Sequence, residues 1–169
     1  GEQLGFVSAV PVDGGSKAEG FAGTPIVTLG GDGYPNGDYM RGAPANAGGG
    51  GNSDQAGGGG GANAGPGGQG GNSAAGNPTG GRGGDSAPLG FERLFLGGAG
   101  GEGHGIATRV PGGNGGGIIF INAQVLGSVA VPGDATSGFL TSNGADGSDN
   151  TADAASGGGA GGTIFFGAN

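Results

Sequence analysis

Bulky apolar residues occur in short runs near the two ends of the chain and are missing from its middle. Val, Ile, Leu, Phe, Met and Tyr are all absent from residues 43–88. No window places apolar residues at the i, i+3, i+4 spacing of a helix over three turns. Short apolar runs bounded by Gly, Pro, Asn and Asp predict strands instead. The predicted strands are residues 6–12, 25–29, 91–96, 117–126, 128–131, 139–141 and 163–166.

Two segments in the last third of the chain echo each other. Residues 112–123 read GGNGGGIIFINA, and residues 157–168 read GGGAGGTIFFGA. Each segment joins a glycine-rich stretch to a strand with apolar residues at consecutive positions, which predicts that both faces of the strand are covered. The repetition predicts two equivalent layers that pack on each other.

Glycine dominates the apolar-free block. The chain has 53 glycines among 169 residues. Collagen needs glycine at every third position, and that frame holds at Gly65, Gly68 and Gly71 but breaks at Ala74. A flexible linker would be rich in both glycine and serine. The remaining structure is a bundle of polyglycine II rods with three residues per turn, in which every N–H and C=O bonds to a neighbouring rod or to water.

Small polar segments at residues 52–56, 62–64, 72–75 and 77–79 divide this block in a way that is typical of turns. They leave rods of about four to nine residues, roughly 12–28 Å long at 3.1 Å per residue. The predicted fold is mainly β and irregular, with short strands packed against a bundle of polyglycine II or polyproline II-like rods and essentially no α-helix. We treat residues 1–169 as one glycine-rich domain, in which 1–42 form strands and turns, 43–88 form rods, and 89–169 couple rods to strands.

Charge and composition exclude several classes of function. Five Lys and Arg face 13 Asp and Glu, the net charge is −8, and no basic residue follows Arg109, so a nucleic-acid footprint is not expected. No apolar run approaches the roughly 20 residues that span a bilayer, so membrane insertion is not expected. Cysteine is absent. With one His, one Lys and no catalytic motif, the chain is predicted not to be an enzyme.

Three places in the sequence are candidates for metal binding: residues 143–153, the similar but less favoured residues 31–38, and His104. Asp146, Asp149 and Asp153 carry carboxylates in an acidic stretch that also holds Asn143 and Asn150, and calcium takes six to eight such oxygen ligands. The stretch lacks the spacing of known calcium motifs, and a solvated acidic loop is the alternative. His104 would need ligands from elsewhere, and its alternative is to brace the end of a glycine rod. No other cofactor is expected.

Tyr34, Tyr39 and Arg41 cluster around a proline and form a candidate contact patch for a glycan or another subunit. The alternative is a turn packed onto the rods, since the residues that follow Pro35 are turn-like. Lys17 is the single lysine, and an isopeptide crosslink from it is a further, less favoured hypothesis.

The chain resembles a glycine-rich domain of very large bacterial secreted and cell-surface proteins, many of them adhesin-like. The resemblance lies in residues 14–25, 36–51 and 93–104 and in the two echoing segments. It implies an extracellular location and a structural or adhesive role without enzymatic activity. The likeness to the glycine rods of phage tail-fibre tips and springtail antifreeze proteins is compositional.

The sequence therefore leaves three hypotheses open. The first is a non-catalytic structural module of a bacterial surface appendage, adhesin or self-assembling fibre, whose partners are copies of itself or other domains of a larger surface protein. The second is an adhesin tip that binds a receptor or glycans. The third is an ice-binding protein, which the scattered positions of the threonines disfavour.

Overall fold

The computed structural model describes a chain without α-helix in the residues it covers, which are 18, 20, 41–43, 45–53, 55–73, 79–88, 90, 93–105, 109–124, 140–149 and 154–168. Four short strands are present there. They are β1 (Gly103–His104), β2 (Arg109–Val110), β3 (Ile118–Ala123) and β4 (Thr163–Ala168). β1 pairs with β2 in antiparallel orientation, and β3 pairs with β4 in parallel orientation. The prediction of a mainly β and irregular fold with essentially no helix is confirmed.

Most of the described chain forms straight rods that are hydrogen-bonded to one another at three-residue intervals. This interval is the signature of a polyglycine II bundle, because a rod with three residues per turn presents every third residue to the same neighbour. In the described part we number them rod 1 (46–52), rod 2 (56–62), rod 3 (65–72), rod 4 (79–87), rod 5 (96–104), rod 6 (111–117), rod 7 (142–148) and rod 8 (155–162).

Rod 2 lies at the centre of the bundle. Its successive backbone N–H groups donate in turn to three different rods, 3, 8 and 1, and its carbonyls accept from rods 4 and 5. The donor–acceptor pairs of its N–H groups are Gly57–Gly71, Gly58–Ala155, Gly59–Gly49, Gly60–Gly68, Gly61–Gly158 and Ala62–Asn46, at 2.7–3.0 Å. Each rod runs antiparallel to the next along the chain, as the pairing directions show. Backbone hydrogen bonds therefore hold the interior of this bundle together, as packed apolar side chains do in most globular proteins.

The side chains inside the bundle are correspondingly small. The buried apolar residues among those described are alanines and a single valine: Ala18, Ala43, Ala47, Ala56, Ala62, Ala87, Val110 and Ala154. Among the described residues, Asn46 is the largest side chain that is fully buried. Its amide nitrogen donates to the carbonyl oxygens of Ala62 at 3.2 Å and Leu96 at 2.9 Å. Asn46 thus ties the ends of rods 1, 2 and 5 together.

The turn between rods 1 and 2 carries a strained residue. Gln55 is exposed and has a φ of 63°, in the left-handed region that disfavours residues with a Cβ. We expect Gln55→Gly to raise the free energy of unfolding by about 0.5–1 kcal/mol, because glycine removes this strain. Urea unfolding measures the change.

The matched control for this variant is Gln69→Gly. Gln69 is also exposed, but it lies on rod 3 without a positive φ. There, glycine only adds conformational entropy to the unfolded chain, so this variant should lower stability slightly. A fall in stability for both variants would contradict the assignment of strain to Gln55.

Several predicted strands differ from the structure. Residues 93–96 and 140–141 are not strands, and 118–123 form a shorter strand than the predicted 117–126. Rod 5 begins at Leu96, because the glycines that follow bond to rods 2 and 6 rather than to a sheet partner. The predicted strands at 6–12, 25–29 and 128–131 lie outside the described residues.

Candidate assembly surface

The two echoing segments lie side by side. Every paired position of β3 and β4 is separated by 45 residues, from Ile118 with Thr163 to Ala123 with Ala168, which is the offset of the sequence repeat. Below them, rods 6 and 8 are already hydrogen-bonded in parallel, from Gly113 to Gly157 and from Gly116 to Ala160. The prediction that the repeats form two stacked layers is wrong: they pair edge to edge and form one ribbon, because the parallel rods beneath them fix their register.

The change from rod to strand follows the sequence. Glycines can approach a neighbouring rod closely, whereas Ile118 in β3 and Thr163 in β4 begin runs of β-branched and aromatic residues that favour a pleated strand. The junction is tied to the bundle by side chains. Thr163 Oγ1 donates to the Phe95 carbonyl at 2.8 Å, and Ser142 Oγ donates to the Gly117 carbonyl. The ribbon is therefore rooted in the rods at one end.

Both faces of the ribbon expose large apolar side chains. Directly paired residues of parallel strands share a face, so Ile118, Phe120 and Phe165 lie on one face. The rings of Phe120 and Phe165 stack at 5.1 Å with an interplanar angle of 4°. Phe120 is nevertheless 61% exposed. Ile164 and Phe166 lie on the opposite face, and Phe166 is 49% exposed.

The prediction that both faces of these strands are covered is wrong. Apolar residues at consecutive positions are typical of strands buried in larger sheets, but the described residues give this sheet two strands. A ribbon of two parallel strands leaves one edge of each strand without a partner in this sheet. The described ribbon, which we call the β3–β4 ribbon, thus combines apolar faces with open edges.

The chemistry of the ribbon is apolar and uncharged. β3 reads IIFINA and β4 reads TIFFGA, so neither strand contains a titratable side chain. Such a surface binds other apolar surfaces or extended strands and has no group suited to acid–base or nucleophilic chemistry. Sequence reasoning identified these strands but missed their exposure. The sequence signal for this exposure was that the repeat supplies only two such strands. A sheet of two strands is marginally stable and cannot bury its own apolar faces.

The predicted contact patch is only partly described. Arg41 is buried, and its Nε donates to the Gly80 carbonyl at 2.7 Å. Its carbonyl also accepts from the Arg82 N–H at 2.8 Å. Arg41 therefore packs onto rod 4 rather than facing solvent. Tyr34 and Tyr39 lie outside the described residues, as does Lys17.

The calcium candidates fall on and beyond rod 7. Asp146 and Asp149 are both exposed, and three residues along a rod correspond to roughly 9 Å. Asp153 lies outside the described residues. No cluster of three or more His, Asp or Glu residues that would suit a metal is found among the residues described. The calcium site stays a prediction.

His104 lies in β1 at the end of rod 5. It is half-buried, and its N–H donates to the Ala56 carbonyl at the start of rod 2, at 2.9 Å. Opposite it in β2 is Arg109. These contacts place His104 where two rods meet the β1–β2 pair.

The described fold belongs to the class of polyglycine II-type rod bundles, here extended by a parallel ribbon. No family model, no curated protein and no solved structure matches the chain. Within the described ranges, no helix is both long and apolar enough to cross a bilayer. The resemblance to the bacterial glycine-rich domain stays a prediction.

Proposed function

We propose that this protein is a non-catalytic structural module that joins copies of itself, through the β3–β4 ribbon, into an extracellular fibre or surface appendage. The observation that carries the proposal is the exposure of Phe120 and Phe166 on opposite faces of one uncharged ribbon. Exposed aromatic side chains on a two-sided ribbon favour a partner on each face. A module with two such faces can extend an assembly in both directions.

The rod bundle supports this function because it is a stiff base. Rod 2 bonds to five other rods, so bending one rod would break hydrogen bonds to several neighbours. The ribbon continues directly from rods 6 and 8. The Thr163 hydroxyl bonds to the Phe95 carbonyl next to rod 5, and the Ser142 hydroxyl of rod 7 bonds to the Gly117 carbonyl at the base of β3. A force applied to the ribbon is therefore distributed over the whole bundle.

Charge supports association at the ribbon rather than elsewhere. The chain carries a net charge of −8, which makes copies repel one another over most of their surface. The ribbon has no charged residue, so contact there adds little repulsion. We expect assembly to be promoted by salt, which screens the remaining charges. The extracellular location rests on the resemblance described above.

The double variant Phe120→Ser/Phe166→Ser tests the proposal. We expect the wild-type chain to form concentration-dependent oligomers in sedimentation velocity and fibres in electron micrographs. The double variant should shift assembly to at least about tenfold higher concentration, since each lost aromatic contact is worth about 1–2 kcal/mol or more.

The matched control is Phe120→Leu/Phe166→Leu, which keeps an apolar side chain at both positions and should still assemble. Amide chemical shifts of the rods verify that each variant is folded. A wild-type chain that stays monomeric at millimolar concentration, or a serine variant that assembles like wild type, would refute the proposed function.

A further inference from the structure

Among the described residues, one position in the rod lattice has no rod in it. Around the central rod 2, the hydrogen bonds place rods 1, 4 and 3 in sequence on one side and rods 5 and 8 on the other. Rods 1 and 4, 4 and 3, 1 and 5, and 5 and 8 are bonded pairwise, whereas no backbone hydrogen bond joins rods 3 and 8 among the described residues. A sixth side of rod 2 is therefore open, and we call it the rod 3–rod 8 groove.

Exposure supports this arrangement. Gly60 and Gly61 belong to the central rod but are partly exposed, while Gly58 and Gly59 of the same rod are buried. In the walls of the groove, Gly68 of rod 3 and Gly158 of rod 8 are exposed. The side chain of Asn63 reaches from the end of rod 2 to rod 8, donating to the Gly161 carbonyl at 2.9 Å, and marks one end of the groove.

The backbone groups that face the groove follow from the three-residue repeat. In rod 2, carbonyls 57 and 60 accept from rod 4, and carbonyls 56, 59 and 62 accept from rod 5. The third row, Gly58 and Gly61, has no backbone donor among the described residues. Since successive rows point about 120° apart, these two carbonyls point between rods 3 and 8.

Rods 3 and 8 add donors to the same groove. In rod 3, N–H groups 67 and 70 bond to rod 4, and in rod 8, N–H groups 157 and 160 bond to rod 5 while 156, 159 and 162 bond to rod 7. The N–H groups that point toward the groove are those of Gly68 and Gly71 in rod 3 and of Gly158 and Gly161 in rod 8. None of these N–H groups has a backbone acceptor within the described ranges.

We propose that the rod 3–rod 8 groove binds one additional glycine-rich rod, supplied by a second copy of this chain. Such a rod would accept hydrogen bonds from rods 3 and 8 and donate to rod 2, as the rods already inside the bundle do. The groove selects for glycine, because a rod enclosed on three sides has no room for a Cβ on those sides. A partner with large side chains at these positions is excluded.

The chain itself presents a rod of the required kind. Rod 3 lies at a corner, bonded to rods 2 and 4 only in the described structure. A Cβ at Gly65, Gly68 or Gly71 would meet no atom within 4 Å, so that side of rod 3 projects into open space. Rod 3 of one copy and the rod 3–rod 8 groove of another are complementary, because both have the same three-residue repeat of hydrogen-bonding groups. This inference rests on the proposed function, because it names a second contact between the same copies.

Gly60 offers a selective way to block the groove. A Cβ on Gly60 would lie 3.4 Å from the Gly68 nitrogen and 3.7 Å from the Gly158 oxygen, which are ordinary contacts with both walls. Gly60→Ala is therefore compatible with the fold but places a methyl group in the groove. The matched control is Gly90→Ala, at an exposed position between rods 4 and 5 that does not line the groove, where a Cβ would meet no atom within 4 Å.

The experiment adds a synthetic peptide with the sequence of residues 64–72 to the isotopically labelled chain and follows amide chemical shifts. We expect shifts at Gly61, Gly68, Gly71, Gly158 and Gly161. Gly60→Ala should weaken binding by at least about tenfold, equivalent to the loss of one or two hydrogen bonds. Gly90→Ala should bind like wild type. No shift at millimolar peptide, shifts spread over the whole surface, or equal binding by Gly60→Ala would overturn the proposal.

Sedimentation of the same variants separates this inference from the proposed function. If Gly60→Ala fails to bind the peptide and also assembles less tightly than Gly90→Ala, the groove contributes to assembly as proposed. If Gly60→Ala assembles as wild type does through the ribbon, the groove proposal is overturned and the proposed function stands. If wild type binds the peptide but never assembles, a second copy is not the partner and the proposed function fails.

Discussion

Gly59→Ala is expected to unfold the rod bundle or to lower its free energy of unfolding by about 3 kcal/mol or more. A Cβ at this position would clash with the backbone carbonyl of Arg82 and would lie 2.9 Å from the backbone oxygen of Gly81, both in rod 4. Gly59 also donates to Gly49 and accepts from Gly101, each at 2.8 Å. Displacing rod 4 would therefore disturb the bonds to rods 1 and 5 as well.

Thermal unfolding followed by circular dichroism measures this effect. We expect a fall in Tm of roughly 6–12 °C if the variant folds at all. Gly158→Ala is the matched control, because its Cβ would make only ordinary contacts and its φ lies outside the left-handed region. Alanine there should leave stability unchanged or raise it by up to about 1 kcal/mol. Similar stability of the two variants would contradict a close-packed rod lattice.

Asn46→Asp is expected to destabilise the fold by about 3 kcal/mol or more at pH 7. The substitution keeps the shape of the side chain but replaces the amide donor with a carboxylate that would face the Ala62 and Leu96 carbonyls. Position 46 is 0% exposed, so water cannot compensate for the lost hydrogen bonds. Asn46 thus contributes mainly as a donor at the junction of three rod ends.

The loss of stability in Asn46→Asp should increase as the pH rises. Burial beside two carbonyls raises the folded-state pKa of the introduced carboxyl above its unfolded value of about 3.9. The destabilisation is therefore smallest below pH 4 and grows as the pH rises through the unfolded pKa up to the folded one. Urea unfolding between pH 3 and pH 7 measures it. Asn63→Asp, at an exposed hydrogen bond, is the control and should change stability by less than about 1 kcal/mol.

The rods themselves could be predicted from the sequence because they depend on composition and local geometry. Residues 43–88 have no bulky apolar side chain, and glycine makes close approach of backbones possible. The interruptions of the glycine runs also predicted correctly that rods reverse near residues 52–56 and 62–64. The order of rods around rod 2 could not be predicted, since all glycine rods present the same backbone groups and their sequences do not identify a partner.

The candidate sites, like the rods, could be predicted from the sequence only in part. The apolar strands at 118–123 and 163–166 were identified from their residues, but their exposure was not. Exposure depends on how many strands share the sheet, and the structure pairs only two of them. Arg41 was a candidate contact residue, with a turn packed onto the rods as the alternative, and its guanidinium lies against the Gly80 carbonyl of rod 4. The rod 3–rod 8 groove could not be predicted from the sequence, because its polar groups are backbone atoms, which are the same in nearly every residue.

By itself, the sequence determined that this protein is built from glycine rods and a repeated rod-to-strand unit, because three-residue rods need side chains small enough for backbones to meet. The register of β3 and β4 matches the 45-residue repeat, but the parallel rods beneath them decided that the two copies pair edge to edge. Tertiary structure alone decided that rod 2 is central, that one lattice position is empty and that the β3–β4 ribbon faces outward. The physical reason is that these properties depend on which backbones are neighbours, and identical glycine backbones are distinguished only by the folded arrangement.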